Sequence, residues 1–199
     1  MLRLARECAI SSETRILDIG GTPDCWQLLP VHPRLVLLNT PRAKEDLGGA
    51  EGWVAGDGRA LPFRDGAFDL VFSNSVIEHV GDPASQQAFA SEVARVGRCF
   101  WVQTPNRWFP VEQHLFTPLV HWLPRSWQRL LVPRVNLWSR LVPVTDDRRR
   151  FYIEHYLSDI RLLGASELRA LFPEARLIRE RLLGVTKSLI ALSARSESG

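Results

Sequence analysis

Cysteine is scarce in this chain of 199 residues: Cys8, Cys25 and Cys99 are the only three. The number is odd, and no two sit at metal-ligand spacing. That excludes a disulfide framework and a cysteine zinc site, and a reducing compartment is expected. Long apolar runs are missing as well, since none approaches the roughly 20 residues of a spanning helix. The N-terminal MLRLARECAISSETR is too short in its apolar part, and too interrupted by charge, for a signal peptide. The expectation is a cytoplasmic protein, with peripheral contact at the inner membrane face as an open alternative. Lysine is nearly absent; Lys44 and Lys187 are the only two, so arginine carries the positive charge. Net charge is only +3, too small to argue for nucleic acid by itself. No internal repeat, low-complexity tract or Walker-type phosphate loop is found.

What is present fits a soluble globular protein, with 45% hydrophobic and 24% charged residues. The length suits a single domain over 1–199. Residues 1–9 read as a short amphipathic helix. RILDI before Gly20-Gly21 is a buried-strand signal, and Pro23 suits the first turn of a helix that would bury Trp26, Leu28 and Leu29. Further strand signals are RLVLLN (34–39), GWVAGDG (52–58), FDLVFSN (68–74) and CFWVQTPN (99–106), with a helix over 84–96. Continuous apolar strands alternating with helices imply an α/β fold with a Rossmann-like parallel sheet covered on both faces. The last two strand signals, 175–184 and 187–194, have no helix between them and predict an antiparallel hairpin turning at Val185-Thr186.

Residues 105–150 break this pattern. They hold Trp108, Trp122, Trp127 and Trp138, four of the chain's seven tryptophans, and carry a net charge of +5 from eight arginines and three acids. Six prolines restrict them to short helices and turns. They read as an insertion or lid after the fifth strand, lying over the functional edge of the sheet. Trp and Leu mixed with Arg also suit contact with anionic lipid headgroups.

Open parallel sheets bind ligands at the carboxyl ends of their strands. Asp18 and Gly20 follow the first strand, Asn39 the second, Asp57 the third, and Ser73 and Asn74 the fourth. Each alone could be a turn or cap residue; their recurrence at four successive strand ends points to a binding site. A nicotinamide enzyme would want Gly-x-Gly-x-x-Gly and an acid near the second strand, and the chain has neither.

At these residues the chain resembles the class I S-adenosylmethionine-dependent methyltransferases of the type 11 branch. ILDIGGTPDCW, GDGRALPFRDGAFDLVFSNSVIEHV and the paired final strands carry the resemblance, which covers about 14–104 well and 155–194 in architecture. It implies a seven-stranded sheet with an antiparallel last strand, and S-adenosyl-L-methionine as cofactor. By the same resemblance Asp18, Gly20 and Gly21 would lie beside the methionine part. Asp57 would accept from the adenine amino group, with Gly58, Arg59, Ala60 and Leu61 along the adenine edge. Asn74 would sit near the sulfonium. Two departures stand out. Thr22 and Asp24 replace glycines of the family loop. Asn39 stands where an acid usually binds both ribose hydroxyls; an amide offers one acceptor and one donor group instead.

On the acceptor side, His79 is the first choice for a general base, since its ordinary pKa near 6.5 suits proton transfer at neutral pH; it could equally pack or cap at a helix start. Relatives with Glu-x-x-Glu-His here bind a divalent metal. Ser75 removes one of those ligands, and even with His114 as an extra one, no metal is expected. Glu112 and His114, near Trp108, could face the acceptor or form a surface pair, and Glu154 and His155 carry the same ambiguity. The expected activity is O-methylation of a small-molecule, sugar or lipid-linked acceptor. A non-catalytic binding protein acting through 105–150, or an RNA methyltransferase, is the alternative. Nucleic acid ranks below a small-molecule or glycan partner because SNSV lacks the signature of base-amino methylation.

Overall fold

The computed structural model describes residues 1–41, 52–114, 116–135, 145, 153–154, 156–157 and 160–193. The strands are β1 (Arg15–Ile19), β2 (Arg34–Asn39), β3 (Trp53–Ala55), β4 (Leu70–Asn74), β5 (Phe100–Pro105), β6 (Val111–Glu112), β7 (Thr117–Pro118), β8 (Arg176–Leu182) and β9 (Val185–Leu192). The α-helices among the described residues include α1 (Leu2–Glu7), α2 (Pro83–Val96), α3 (Arg125–Val135) and α4 (Ala165–Leu171).

Seven strands form one sheet in the order β3-β2-β1-β4-β5-β9-β8. The first five pair in parallel, β9 runs antiparallel to β5, and β8 runs antiparallel to β9. Only the last strand therefore opposes the others, as the resemblance implies.

Alternation along each strand sends neighbouring side chains to opposite faces. Leu17, Ile19, Val71 and Val102 meet Phe89, Val93 and Val96 of α2 and Leu168 of α4. Ile16, Leu70, Phe72 and Trp101 meet Leu4 of α1, Trp26 and Leu29. Both faces are covered, which is why the central strands read as unbroken apolar runs. α2 starts cleanly because Asp82 accepts from the Ser85 N–H at 2.8 Å and Pro83 occupies the first turn.

Several local expectations change. The segment after β1 is a 3-10 helix, Pro23–Leu28; Trp26 and Leu29 are buried, but Leu28 is 72% exposed. With i, i+3 side chains stacked in register, the tighter turn places Leu28 off the buried stripe. The final hairpin turns two residues earlier than expected. Leu183 (φ 49°) and Gly184 (φ 83°) are both left-handed, as a two-residue hairpin turn requires, and Val185 already belongs to β9. Beyond short helices, the insertion holds a two-stranded hairpin, β6 with β7, and its Val120 and Val132 share a small core with Ile153, Tyr156 and Ile160, which follow it in the chain. Strands of two residues leave no periodic signal to read.

Candidate functional site

The ends of β1, β2 and β3 and the turn after β4 enclose a cavity of about 740 Å³, within the range usual for small-molecule sites. Gly20, Asn39, Asp57, Gly58 and Arg59 line it, and His79 stands in its wall. Gly20 has φ +77°, and a Cβ there would lie 2.5 Å from Val76 Cγ2, so both backbone and space demand glycine. Asp57 is gripped by Arg59, whose Nε lies 3.0 Å from both carboxylate oxygens and whose Nη2 lies 2.6 Å from Oδ2. These bonds hold the Asp57 carboxyl below the usual range, leaving an ionised acceptor on the wall. Asn39 Nδ2 donates to the Gly21 carbonyl at 2.9 Å. One amide hydrogen is thus committed to tying the β1 loop to β2.

Asp18, Gly21 and Asn74 line a second cavity of about 430 Å³, which shares Gly20 with the first. Asp18 is fully buried; its Oδ2 accepts from Trp26 Nε1 at 2.7 Å, and its Oδ1 has no hydrogen-bond partner. Burial pushes its pKa up to about 7, against the lowering effect of the Trp26 bond. A Cβ on Gly21 would fall 1.9 Å from Asp18 Oδ2. The second glycine of the pair is therefore required by the buried acid beneath it. Two expected wall residues lie elsewhere. Ala60 is exposed, and its N–H closes a turn on the Asp57 carbonyl at 3.0 Å. Leu61 is in the core, with its N–H held by Glu92.

The acceptor-side candidates converge from two parts of the chain. β4 stops at Ser75, whose φ of 57° breaks the strand. The 3-10 turn Ile77–His79 follows, pinned by the buried Gln86, whose Nε2 donates to the Ile77 carbonyl at 3.0 Å. This turn drives Glu78 fully inside. Glu78 Oε2 accepts from Thr104 Oγ1 at 2.9 Å, while Oε1 has no hydrogen-bond partner. Burial pushes the Glu78 pKa up to about 7.

From the insertion, β6 and the turn after it bring Glu112 and His114. Glu112 is buried and lies 2.6 Å from His114 Nδ1 through Oε1. Burial, the largest single effect, lowers the His114 pKa, but the Glu112 bond and the charges of Glu112 and Glu78 together outweigh it and the net shift is upward. The carboxylate partner assigns a proton to Nδ1. His114 Nε2 then faces His79 Nε2 at 3.2 Å. The Tyr156 ring centroid is 6.4 Å from that of His114.

Glu112 therefore does not face an acceptor; it orients His114 from behind. Trp108 is also corrected. It is 61% exposed, lines neither cavity, and lies under the Arg107 guanidinium, 5.2 Å from its ring centroid. The preceding Arg107 carbonyl accepts from Trp122 Nε1 at 2.8 Å and lies 2.9 Å from His121 Nε2. Glu154 is exposed, and His155, Trp138, Arg140 and Arg148, Arg149 and Arg150 lie outside the described residues. Thr104, Gln86 and Tyr156 went unnoticed in the sequence. Thr104 was findable, because it shares the inward face of β5 with Val102.

Residues 31–98 match the type 11 methyltransferase domain model. A dimethylglycine N-methyltransferase from Parasynechococcus marenigrum (strain WH8102) is 29% identical over 106 residues, covering 48% of this chain and 35% of the relative. The chain thus spans about a third of the length of the curated relative it matches. Among solved structures, a Rhodobacter sphaeroides protein described as a Zn-dependent alcohol dehydrogenase superposes with a TM-score of 0.61 at 12% identity, covering 94% of this chain and 85% of that one. The PH0226 protein from Pyrococcus horikoshii OT3 superposes with a TM-score of 0.56 at 17% identity, covering 98% and 87%. At such identities the likeness shows the fold alone, and a fold hosts many chemistries. The sequence match is the more specific finding, because it runs from β2 through α2 and so takes in Asn39, Asp57 and the His79 turn. The chain thus has the seven-stranded fold of its structural neighbours, and over residues 31–98, about a third of its length, it is similar to the type 11 methyltransferase domain.

Proposed function

We propose that the chain transfers a methyl group from S-adenosyl-L-methionine to an oxygen of a small-molecule, sugar or lipid-linked acceptor. The observation that carries this reading is the placement of His79 in the wall of the 740 Å³ cavity, backed by His114 and the buried Glu112.

The residues fit the cofactor. Asp57, held ionised by Arg59, would accept from the adenine amino group. Asn39 would offer its carbonyl oxygen to the ribose while its amide holds the β1 loop. Glycine at 20 admits backbone approach between the two recesses, and the unpartnered Oδ1 of Asp18 borders the second recess, where a methionine amino group would meet it. When bound, S-adenosylmethionine supplies a methyl made electrophilic by a positively charged sulfur. The protein's remaining task is to align a nucleophile and manage its proton.

The proton bears on acceptor type. A hydroxyl must lose one as its oxygen is methylated, whereas a tertiary amine such as dimethylglycine attacks as its free base, which has no proton to lose in the transfer step. An imidazole pair backed by a buried carboxylate is suited to the first case: His79 takes the proton directly, and His114 with Glu112 sustains the charge. Exposed Trp108, Phe116, Trp122, Trp127 and Leu130 beside arginines support a lipid-linked acceptor at a membrane surface. No helix of the described residues is long and apolar enough to cross a membrane.

Calorimetric titration with S-adenosylmethionine and S-adenosylhomocysteine tests the cofactor reading; no heat at millimolar ligand would sink it. Transfer of labelled methyl to a panel of hydroxyl and amine acceptors tests the oxygen preference, and turnover confined to amines would overturn it. Flotation with anionic liposomes, comparing wild type with a Trp122→Ala/Trp127→Ala variant, tests the membrane part; an unbound wild type at low salt removes it.

A further inference from the structure

We infer that Glu78, His79 and His114 together bind one divalent first-row transition cation of the zinc class, with its open coordination position facing the cofactor cavity. The inference deepens the methyl-transfer reading and rests on it only for what enters that open position. It replaces the sequence-based expectation that no metal is bound.

Three independent features of the cluster point to a cation. The first is spacing. Donor atoms of all three residues lie within 4.8 Å of one another, with the two imidazole Nε2 atoms 3.2 Å apart. Two ligands about 2.1 Å from a tetrahedral ion lie roughly 3.4 Å apart, so the imidazoles already stand at the edge length of a coordination tetrahedron.

The second is an unmet acceptor. Glu78 is fully buried, and its Oε1 has no hydrogen-bond partner among the described residues. A hydrogen bond between the two histidines would satisfy the rings and still leave this oxygen stranded. A cation satisfies the carboxylate and both rings at once, which is the usual condition for keeping an acid in an interior.

The third is the support behind the ligands. Glu112, buried and 2.6 Å from His114 Nδ1, fixes that ring so its Nε2 lone pair points inward. Metal-bound histidines are held this way by carboxylates on the far nitrogen. Thr104 Oγ1 does the same for Glu78 by donating to Oε2 at 2.9 Å.

Ligand chemistry sets the ion. Two imidazoles and one carboxylate suit Zn²⁺, Co²⁺, Mn²⁺ or Fe²⁺, whereas Mg²⁺ and Ca²⁺ prefer all-oxygen shells. Three protein ligands leave a fourth position. His79 lines the cavity, so that position opens where an acceptor would enter. An acceptor hydroxyl bound there would lose its proton to solvent under the cation's charge, and His79 would serve as ligand in place of base.

The test uses tag-free full chain, stripped with chelator and dialysed. Co²⁺ is titrated in while its visible bands are recorded, then Zn²⁺ is added and metal content measured. Expected are one equivalent of Co²⁺ per chain, displacement by Zn²⁺, and no displacement by Mg²⁺. His114→Ala and Glu78→Gln should each weaken binding more than a hundredfold, and Glu112→Gln by about 10- to 100-fold through loss of orientation. Circular dichroism checks that each variant folds, and His114→Ala, at a turn and less buried than Glu78, carries the test if Glu78→Gln does not. Absent Co²⁺ bands, occupancy by Mg²⁺ alone, or unchanged affinity in His114→Ala would overturn the inference. Calorimetry with S-adenosylhomocysteine on the same stripped protein separates the two readings. Cofactor binding without metal binding removes the cation site; metal binding without cofactor binding removes the methyltransferase reading and leaves the cation site standing.

Discussion

The two halves of the site are built by different means. The proposed cofactor side is made of strand ends and bare loops: Gly20 and Gly21, the Asn39 amide, and Asp57 held by a residue two positions away. The proposed acceptor side is made of two buried carboxylates and two part-buried imidazoles brought from separate segments, with Glu78 and His79 after β4 and Glu112 and His114 in the insertion. The first half depends on backbone that any well-folded parallel sheet supplies. The second depends on the insertion docking correctly, and it concentrates groups that are costly to bury unless they act.

Substitutions can press on that contrast, and the largest effect belongs to the acceptor half. His79→Ala should lower turnover by about 10²- to 10⁴-fold while sparing affinity for S-adenosylhomocysteine. Steady-state kinetics beside calorimetry reads both, and an unchanged turnover would break the division of labour.

Asp18 is the buried acid of the cofactor half. Its folded-state pKa is raised from 3.8 to about 7, so the folded protein keeps a proton that the unfolded chain has released. Stability therefore falls as pH rises from about 4 to about 7 and stays low above, by on the order of 4 kcal/mol at most. Asp18→Asn should flatten that slope in denaturant melts taken from pH 4 to 8; an unaltered slope would show that another group causes it.

Asn39→Asp looks like a reversion toward the family pattern. Here it should weaken rather than strengthen cofactor binding, by roughly 1–2 kcal/mol, because a carboxylate would face the Gly21 carbonyl that the amide now donates to. Tighter binding by calorimetry would mean the β1 loop does not need this tie. Asp57→Ala should cost about tenfold in cofactor affinity with little change in melting temperature, since its pair with Arg59 is half exposed. Smallest of all, Trp127→Ala should shift stability by no more than about 0.5 kcal/mol, because Trp127 is 57% exposed.

The fold was largely legible in the chain. Apolar runs ending in polar residues marked β1 to β5, and the hairpin at the end showed as two strands without a helix. The local pattern erred where geometry departs from a simple period, as in the 3-10 turn that exposes Leu28 and the left-handed Leu183-Gly184 tip. On the site, residue types and strand ends picked out residues that line the cavities, but not that Asp18 and Asp57 border different recesses. That division follows from side-chain alternation combined with the two-sided covering of the sheet.

The sequence by itself determined which strands carry polar residues at their ends, because burial on both faces makes a central strand an almost unbroken apolar run and leaves polar residues mainly to its ends. Tertiary structure alone decided what the insertion does with its own polar residues. Trp108 and Glu112 are four positions apart, yet one is turned to solvent and the other buried behind His114. No periodicity in so short a hairpin could tell them apart. The pairing of His79 with His114, 35 residues away, exists only once the hairpin β6–β7 has packed against the turn after β4.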